Sequence, residues 1–122
     1  MRFERLPVLS DNYAWLLIDP ESSLCAVVDP SDAKPVIERV RKAGLTLRWI
    51  LATHHHFDHV GGVEELCEAF DRVEVLCSDT DRKRVPRATY GLADGERVQV
   101  AGAEGVALLV PGHTRGSMAY YL

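Results

Sequence analysis

Four of the five histidines in the chain fall within six residues, in the segment Thr53-His54-His55-His56-Phe57-Asp58-His59-Val60-Gly61-Gly62. The fifth, His113, follows in Val110-Pro111-Gly112-His113-Thr114. Imidazole plus carboxylate without thiolate suits a divalent transition metal: zinc, with iron and manganese as the other candidates. Where a chain leaves a strand extended, residues two apart point the same way. His54 and His56 can then converge on one ion, while His55 turns toward the protein. His54, His56 and His113 could supply three His ligands with an open fourth position, the arrangement of a catalytic rather than a structural zinc site. Asp58 and His59 can reach the far side of the same pocket. Asp58 stands where the chain enters a helix, so its carboxylate can also satisfy the first N–H groups there and offset the field that a helix N-terminus directs against a cation.

Such a cluster needs a strand before it and a helix after it. Residues 47–53, LRWILAT, read as a strand whose apolar stretch suits burial on both faces. A helix is expected from about residue 60 to 70, with Val63, Leu66 and Phe70 on one stripe. Gly61-Gly62 permits that helix to pack closely on the sheet. Upstream, residues 2–9 and 13–19 read as strands joined by a turn at Ser10-Asp11-Asn12. Residues 24–28 form a short strand ended by Asp29-Pro30. Residues 32–43 form a helix with Val36, Ile37 and Val40 on one face, Pro35 in the first turn and Gly44 ending it. Downstream, 73–77 is a strand and 78–95 a long, polar, irregular loop. Residues 97–100, 106–110 and 118–122 look like three further strands. Antiparallel hairpins at both ends and β-α-β units between them predict an α/β chain, with a mixed sheet and helices on one face.

With 122 residues the chain has room for one core. Its formal charge is 14 − 18 = −4, with the basic residues scattered, which speaks against nucleic acid as a partner. No apolar run is long enough to span a bilayer, and the charged N-terminus lacks the apolar centre of a signal peptide. These features predict a cytoplasmic protein with no membrane partner. Cys25, Cys67 and Cys77 are an odd number without CxxC spacing, so they read as reduced, buried thiols rather than a disulfide framework.

At HxHxDH and the distant histidine the sequence resembles the metallo-β-lactamase superfamily. The opening Leu9-Ser10-Asp11-Asn12-Tyr13-Ala14-Trp15, Val27-Val28-Asp29-Pro30, THHHFDHVGG and Pro111-Gly112-His113-Thr114-Arg115-Gly116 resemble the glyoxalase II branch, the hydroxyacylglutathione hydrolases. The resemblance implies an αββα sandwich, about half of it present, in which residues 1–122 are the N-terminal part. It implies that His54, His56 and His113 bind a first zinc, and that Asp58 and His59 contribute to a second. Asp58 is thereby also the candidate catalytic residue. Asp29 matches an acidic family position that supports the site, against a plain reading as an Asp-Pro turn. Ser117 departs from the family, which usually has His there. The family's bridging Asp, a further His ligand and the helical region that contacts glutathione would come after Leu122.

The implied activity is hydrolysis of S-2-hydroxyacylglutathione thioesters, such as S-lactoylglutathione, by metal-activated hydroxide. The products are a 2-hydroxy acid and glutathione. Two alternatives stand beside it. One is an iron enzyme resembling the persulfide dioxygenases of the same superfamily. The other is a truncated, inactive metal-binding domain. Half of a pseudo-twofold sandwich exposes an apolar sheet face and an unpaired strand edge, which a homodimer would cover.

Overall fold

The computed structural model describes residues 2–8, 12–55, 60–110 and 116–122, with the side chain of Asn12 set aside. A six-stranded sheet runs in the order β1-β2-β3-β4-β5-β6, and a second sheet of three strands in the order β7-β8-β9. The strands of the first are β1 (Arg2–Val8), β2 (Asn12–Ile18), β3 (Leu24–Val28), β4 (Thr46–Leu51), β5 (Glu74–Ser78) and β6 (Tyr90–Leu92). Those of the second are β7 (Glu96–Val100), β8 (Ala103–Leu109) and β9 (Met118–Tyr121). β1, β2 and β3 pair antiparallel, while β3, β4, β5 and β6 pair parallel. The mixed sheet expected from the sequence is present. Among the described residues no helix is long and apolar enough to cross a membrane.

Among the described residues two helices feed the parallel strands, α1 (Ala33–Lys42) and α2 (Val63–Ala69). α1 is capped by Asp32, whose carboxylate accepts from the Lys34 N–H. It ends as Gly44 takes φ +69, a left-handed conformation that costs glycine little. α2 starts three residues later than the sequence pattern suggests, with Gly62 as its N-cap and Phe70 as its C-cap. At Gly62 two stretches of backbone come close together. Its N–H donates to Pro30 O at 2.8 Å, and a Cβ there would meet the backbone of Pro30, Asp32 and Ala33 at 2.6–2.8 Å.

The six-stranded sheet is buried on both faces. Leu16 and Ile18 of β2, Cys25 and Val27 of β3, and Val75 and Cys77 of β5 pack with Val36, Val40, Val63 and Leu66 of the helices. The alternate residues Leu17, Ala26 and Leu76 pack with Val98, Val100, Ala107 and Met118 of the second sheet. This is the period-two alternation of a strand, with both faces apolar. Leu47 and Ile50 of β4 are three residues apart yet lie in the same helix-side core. A register irregularity reconciles them: Cys25 pairs Leu47 and the next residue, Ala26, pairs Trp49, so Arg48 is extra. The layers are helices, mixed sheet, antiparallel sheet. The second sheet leaves Phe3 and Trp15 54% and 45% exposed.

The expected loop at 78–95 is corrected in part. It contains a short 3₁₀ turn, Asp79–Asp81, and β6, which pairs with β5. β8 begins at Ala103, earlier than expected. The tight turn before it puts Ala101 and Gly102 at φ +48 and +77, the pattern of a two-residue hairpin. The turn placed at Ser10-Asp11-Asn12 lies largely outside the described residues. Cys25 and Cys77 are buried and free, and burial pushes both thiols up to about 11.

The Gly62 contact generates a prediction. Gly62→Ala forces a methyl into the backbone of residues 30–33 and should lower stability by about 1–3 kcal/mol, the usual cost of overpacking. Urea unfolding measures it, and an unchanged midpoint would show that the contact is loose.

Candidate metal centre

β3, β4 and β5 run parallel, so their carboxyl ends share one edge of the sheet, where open α/β sheets bind ligands. Asp29 follows β3. Thr53, His54 and His55 follow β4. Ser78 ends β5, and the turn to Asp81 follows it.

Asp29 is buried and adopts φ +53, a left-handed conformation that Asp tolerates better than most residues. Its Oδ1 accepts from the Thr53 N–H at 2.8 Å and its Oδ2 from the Thr53 hydroxyl at 2.6 Å. The plain Asp-Pro turn is therefore insufficient as an account of this residue: its side chain clasps the start of the histidine segment. Thr53 Oγ1 also lies 3.0 Å from Nδ1 of His54. The hydroxyl has one proton and gives it to Asp29, so at this contact it can only accept. Nδ1 of His54 then carries the hydrogen, and Nε2 keeps the lone pair a metal requires. Metal-binding histidines are commonly held in one tautomer this way. Thr53 is anchored on its far side too. Its carbonyl accepts from the Met118 N–H at 2.7 Å, and the hydroxyl of Tyr120 donates to the neighbouring Ala52 carbonyl at 2.6 Å. Burial pushes the Tyr120 phenol up, so it stays protonated as a donor.

His55 faces a different partner, as the alternation along the chain predicts. Its Nδ1 stands 3.2 Å from Oδ2 of Asp81, a fully buried carboxylate. The turn carrying Asp81 is capped by Ser78, whose hydroxyl accepts from the Asp81 N–H at 3.2 Å and donates to the carbonyl of Gly116 at 2.7 Å.

Of the residues expected to bind metal, His54 is placed at the head of this arrangement. His56, Asp58, His59 and His113 lie outside the described residues. Among the described residues no three His, Cys, Asp or Glu side chains form a metal-binding group. The donors present nonetheless fit a transition metal: an imidazole oriented through Nδ1 by Thr53, opening an all-nitrogen-and-oxygen motif. Thr53, Ser78 and Asp81 are the site residues that sequence reasoning missed. The hydroxyl next to the first histidine was the available signal for Thr53, and Asp81 had none.

The metallo-β-lactamase superfamily model matches residues 10–121. A hydroxyacylglutathione hydrolase of Synechococcus sp. is 50% identical over 121 residues, which are 99% of this chain and 47% of that protein. One from Trichodesmium erythraeum is 46% identical with the same coverage. The chain thus spans about half the length of the curated relatives it matches. Among solved structures, ETHE1 from Myxococcus xanthus is 28% identical with a TM-score of 0.85, covering 100% of this chain and 54% of that one. The B3 metallo-β-lactamase BLEG-1 superposes with a TM-score of 0.88 at 23% identity, covering 98% and 66%, a likeness of fold alone.

The Asp29–Thr53–His54 chain makes a prediction. Thr53→Val keeps the shape and removes the hydroxyl, so zinc affinity should fall about ten- to a hundredfold, as when other partners of metal-bound histidines are lost. Competition against a chromophoric chelator measures it. Unchanged affinity would show that the hydroxyl does not orient His54.

Proposed function

Because this chain belongs to the metallo-β-lactamase superfamily, we propose that it is the metal-binding part of a glyoxalase II-type hydrolase acting on S-2-hydroxyacylglutathione thioesters such as S-lactoylglutathione. The observation that carries the reading is the hydrogen-bonded chain from Asp29 through Thr53 to His54. It prepares Nε2 of His54 as a ligand at the head of HxHxDH, in a chain whose curated relatives are named hydroxyacylglutathione hydrolases.

In this reading His54, His56 and His113 hold a first zinc, Asp58 and His59 contribute to a second, and Asp58 is the candidate catalytic residue. Bound zinc supplies a Lewis acid and lowers the pKa of water toward ~7, giving a nucleophile at neutral pH. The residues of the chain prepare that chemistry. Asp29 and Thr53 hold the His54 imidazole in one tautomer. Phe3, Trp15, Leu17, Val28, Tyr120 and Leu122 line an apolar groove of about 320 Å³ that reaches Thr53. It offers an apolar wall beside Thr53. A thiolate leaves readily, so no strong general acid is required. The partner is a small glutathione conjugate, and the compartment we assign is the cytoplasm.

The second metal has two candidate ligands in this sequence and no bridging carboxylate among them, so the 122-residue chain alone should turn over slowly. The test is hydrolysis of S-lactoylglutathione by pure, zinc-loaded protein with His54→Ala as the blank. We expect zinc-dependent turnover below the ~1 s⁻¹ where ordinary enzymes begin, abolished in the blank. Equal rates in protein and blank would overturn the assignment. Iron-dependent oxygen uptake with glutathione persulfide would replace it with the dioxygenase reading.

A further inference from the structure

We propose that Asp81 is a positioning residue for the metal centre, acting through His55, and that the single turn from Ser78 to Asp81 ties His55 to Gly116 of the PGHTRG stretch. The inference rests on reading the site as a metal centre.

Asp81 sits in a charged run, Asp79-Thr80-Asp81-Arg82-Lys83-Arg84, whose other members are exposed, yet it is 0% exposed. Burying a carboxylate is costly unless something compensates it. Neither of its oxygens has an aligned hydrogen bond among the described residues, and Nδ1 of His55 at 3.2 Å is the group set against it. His55 lies between His54 and His56. A side chain anchored there fixes the backbone beside His54, and His54 itself meets a different partner, Thr53.

The same turn grips the second segment. Ser78 Oγ donates to the carbonyl of Gly116, which closes the stretch that carries His113. Gly116 is itself shaped by Asp81. It is buried, and a Cβ on it would collide with the Asp81 carboxylate. The glycine of PGHTRG therefore makes room for that carboxylate. Ser78 and Asp81 are also tied to each other through the Asp81 N–H. One turn at the end of β5 thus meets both His55, next to His54, and Gly116, the last residue of PGHTRG. Residues that hold ligands from behind commonly control metal affinity without touching the metal.

The experiment uses the full chain and the metal alone. Zinc affinity is measured by chelator competition, and the visible absorption of the cobalt(II)-substituted protein reports coordination geometry. Asp81→Ala and His55→Leu should each weaken zinc binding about tenfold and alter the cobalt bands, the lower end of effects seen for groups behind metal ligands. Because the two act as one unit, the double variant should lose about tenfold rather than a hundredfold. His55→Asn, which keeps an N–H donor near the position of Nδ1, should recover most of the affinity and serves where the other variants fold poorly. A merely structural pair would lower the melting temperature of the metal-free chain while leaving zinc affinity and the cobalt bands of the folded protein unchanged. That result, additive losses, or no recovery in His55→Asn would overturn the proposal. A parent chain that takes up no zinc would instead remove the metal reading itself, and this inference with it.

Discussion

The arrangement at the sheet edge hangs on one buried carboxylate. Asp29 holds a left-handed backbone conformation, a cost of about 1–3 kcal/mol for a non-glycine residue. It recovers that cost through two short hydrogen bonds from the same residue, Thr53, and bonds to a charged acceptor contribute about 1.5–3 kcal/mol each. The result is a cross-link between the ends of two adjacent parallel strands. The contacts around Thr53 are referenced to it. His54 is oriented by the Thr53 hydroxyl, and the second sheet is joined at the Thr53 carbonyl through Met118. The peptide just before it receives the Tyr120 hydroxyl.

The cores on either side of the mixed sheet explain why this edge can be rigid. The helix-side core and the sheet-side core pin each strand from both directions, so the loops leaving β3, β4 and β5 start from fixed points. Gly62 brings the entry to α2 against Pro30, and this couples the segment after the histidines to the residue following Asp29. The histidine segment is thereby flanked on both sides by contacts to one short stretch, Asp29 to Ala33.

What could be read from the sequence follows from the range of the interactions involved. β2, β3, β5 and α1 were legible because alternation and helical periodicity are local patterns set by the same residues that are buried. The histidine cluster stands out in the sequence because its spacing is local too. β6 was not. It has three residues, and Gly91 stands at its centre because Asp79 crowds the place a side chain would fill. Asp81 reads as solvent-facing from its neighbours, and only packing against Gly116, 35 positions later, buries it. Thr53 reads as no more than a strand terminus because the partner that gives it a role lies 24 residues earlier. His56, Asp58, His59 and His113 remain assigned by motif.

Burial of both faces of the central strands has a consequence for how the chain finds its pairing. In a half-exposed strand, sliding by one residue would put apolar side chains in water, and that cost enforces alignment. In β3 and β4 a slide would exchange Val27 with Ala26 and Ile50 with Leu51, apolar for apolar, so hydrophobic burial discriminates weakly between alignments. The clasp between Asp29 and Thr53 discriminates strongly, because any slipped pairing leaves a buried carboxylate without its two donors. The residues that prepare the site therefore also act as the sheet's alignment key. Their loss would leave every apolar contact available and yet allow a mixture of pairings where the native chain adopts one.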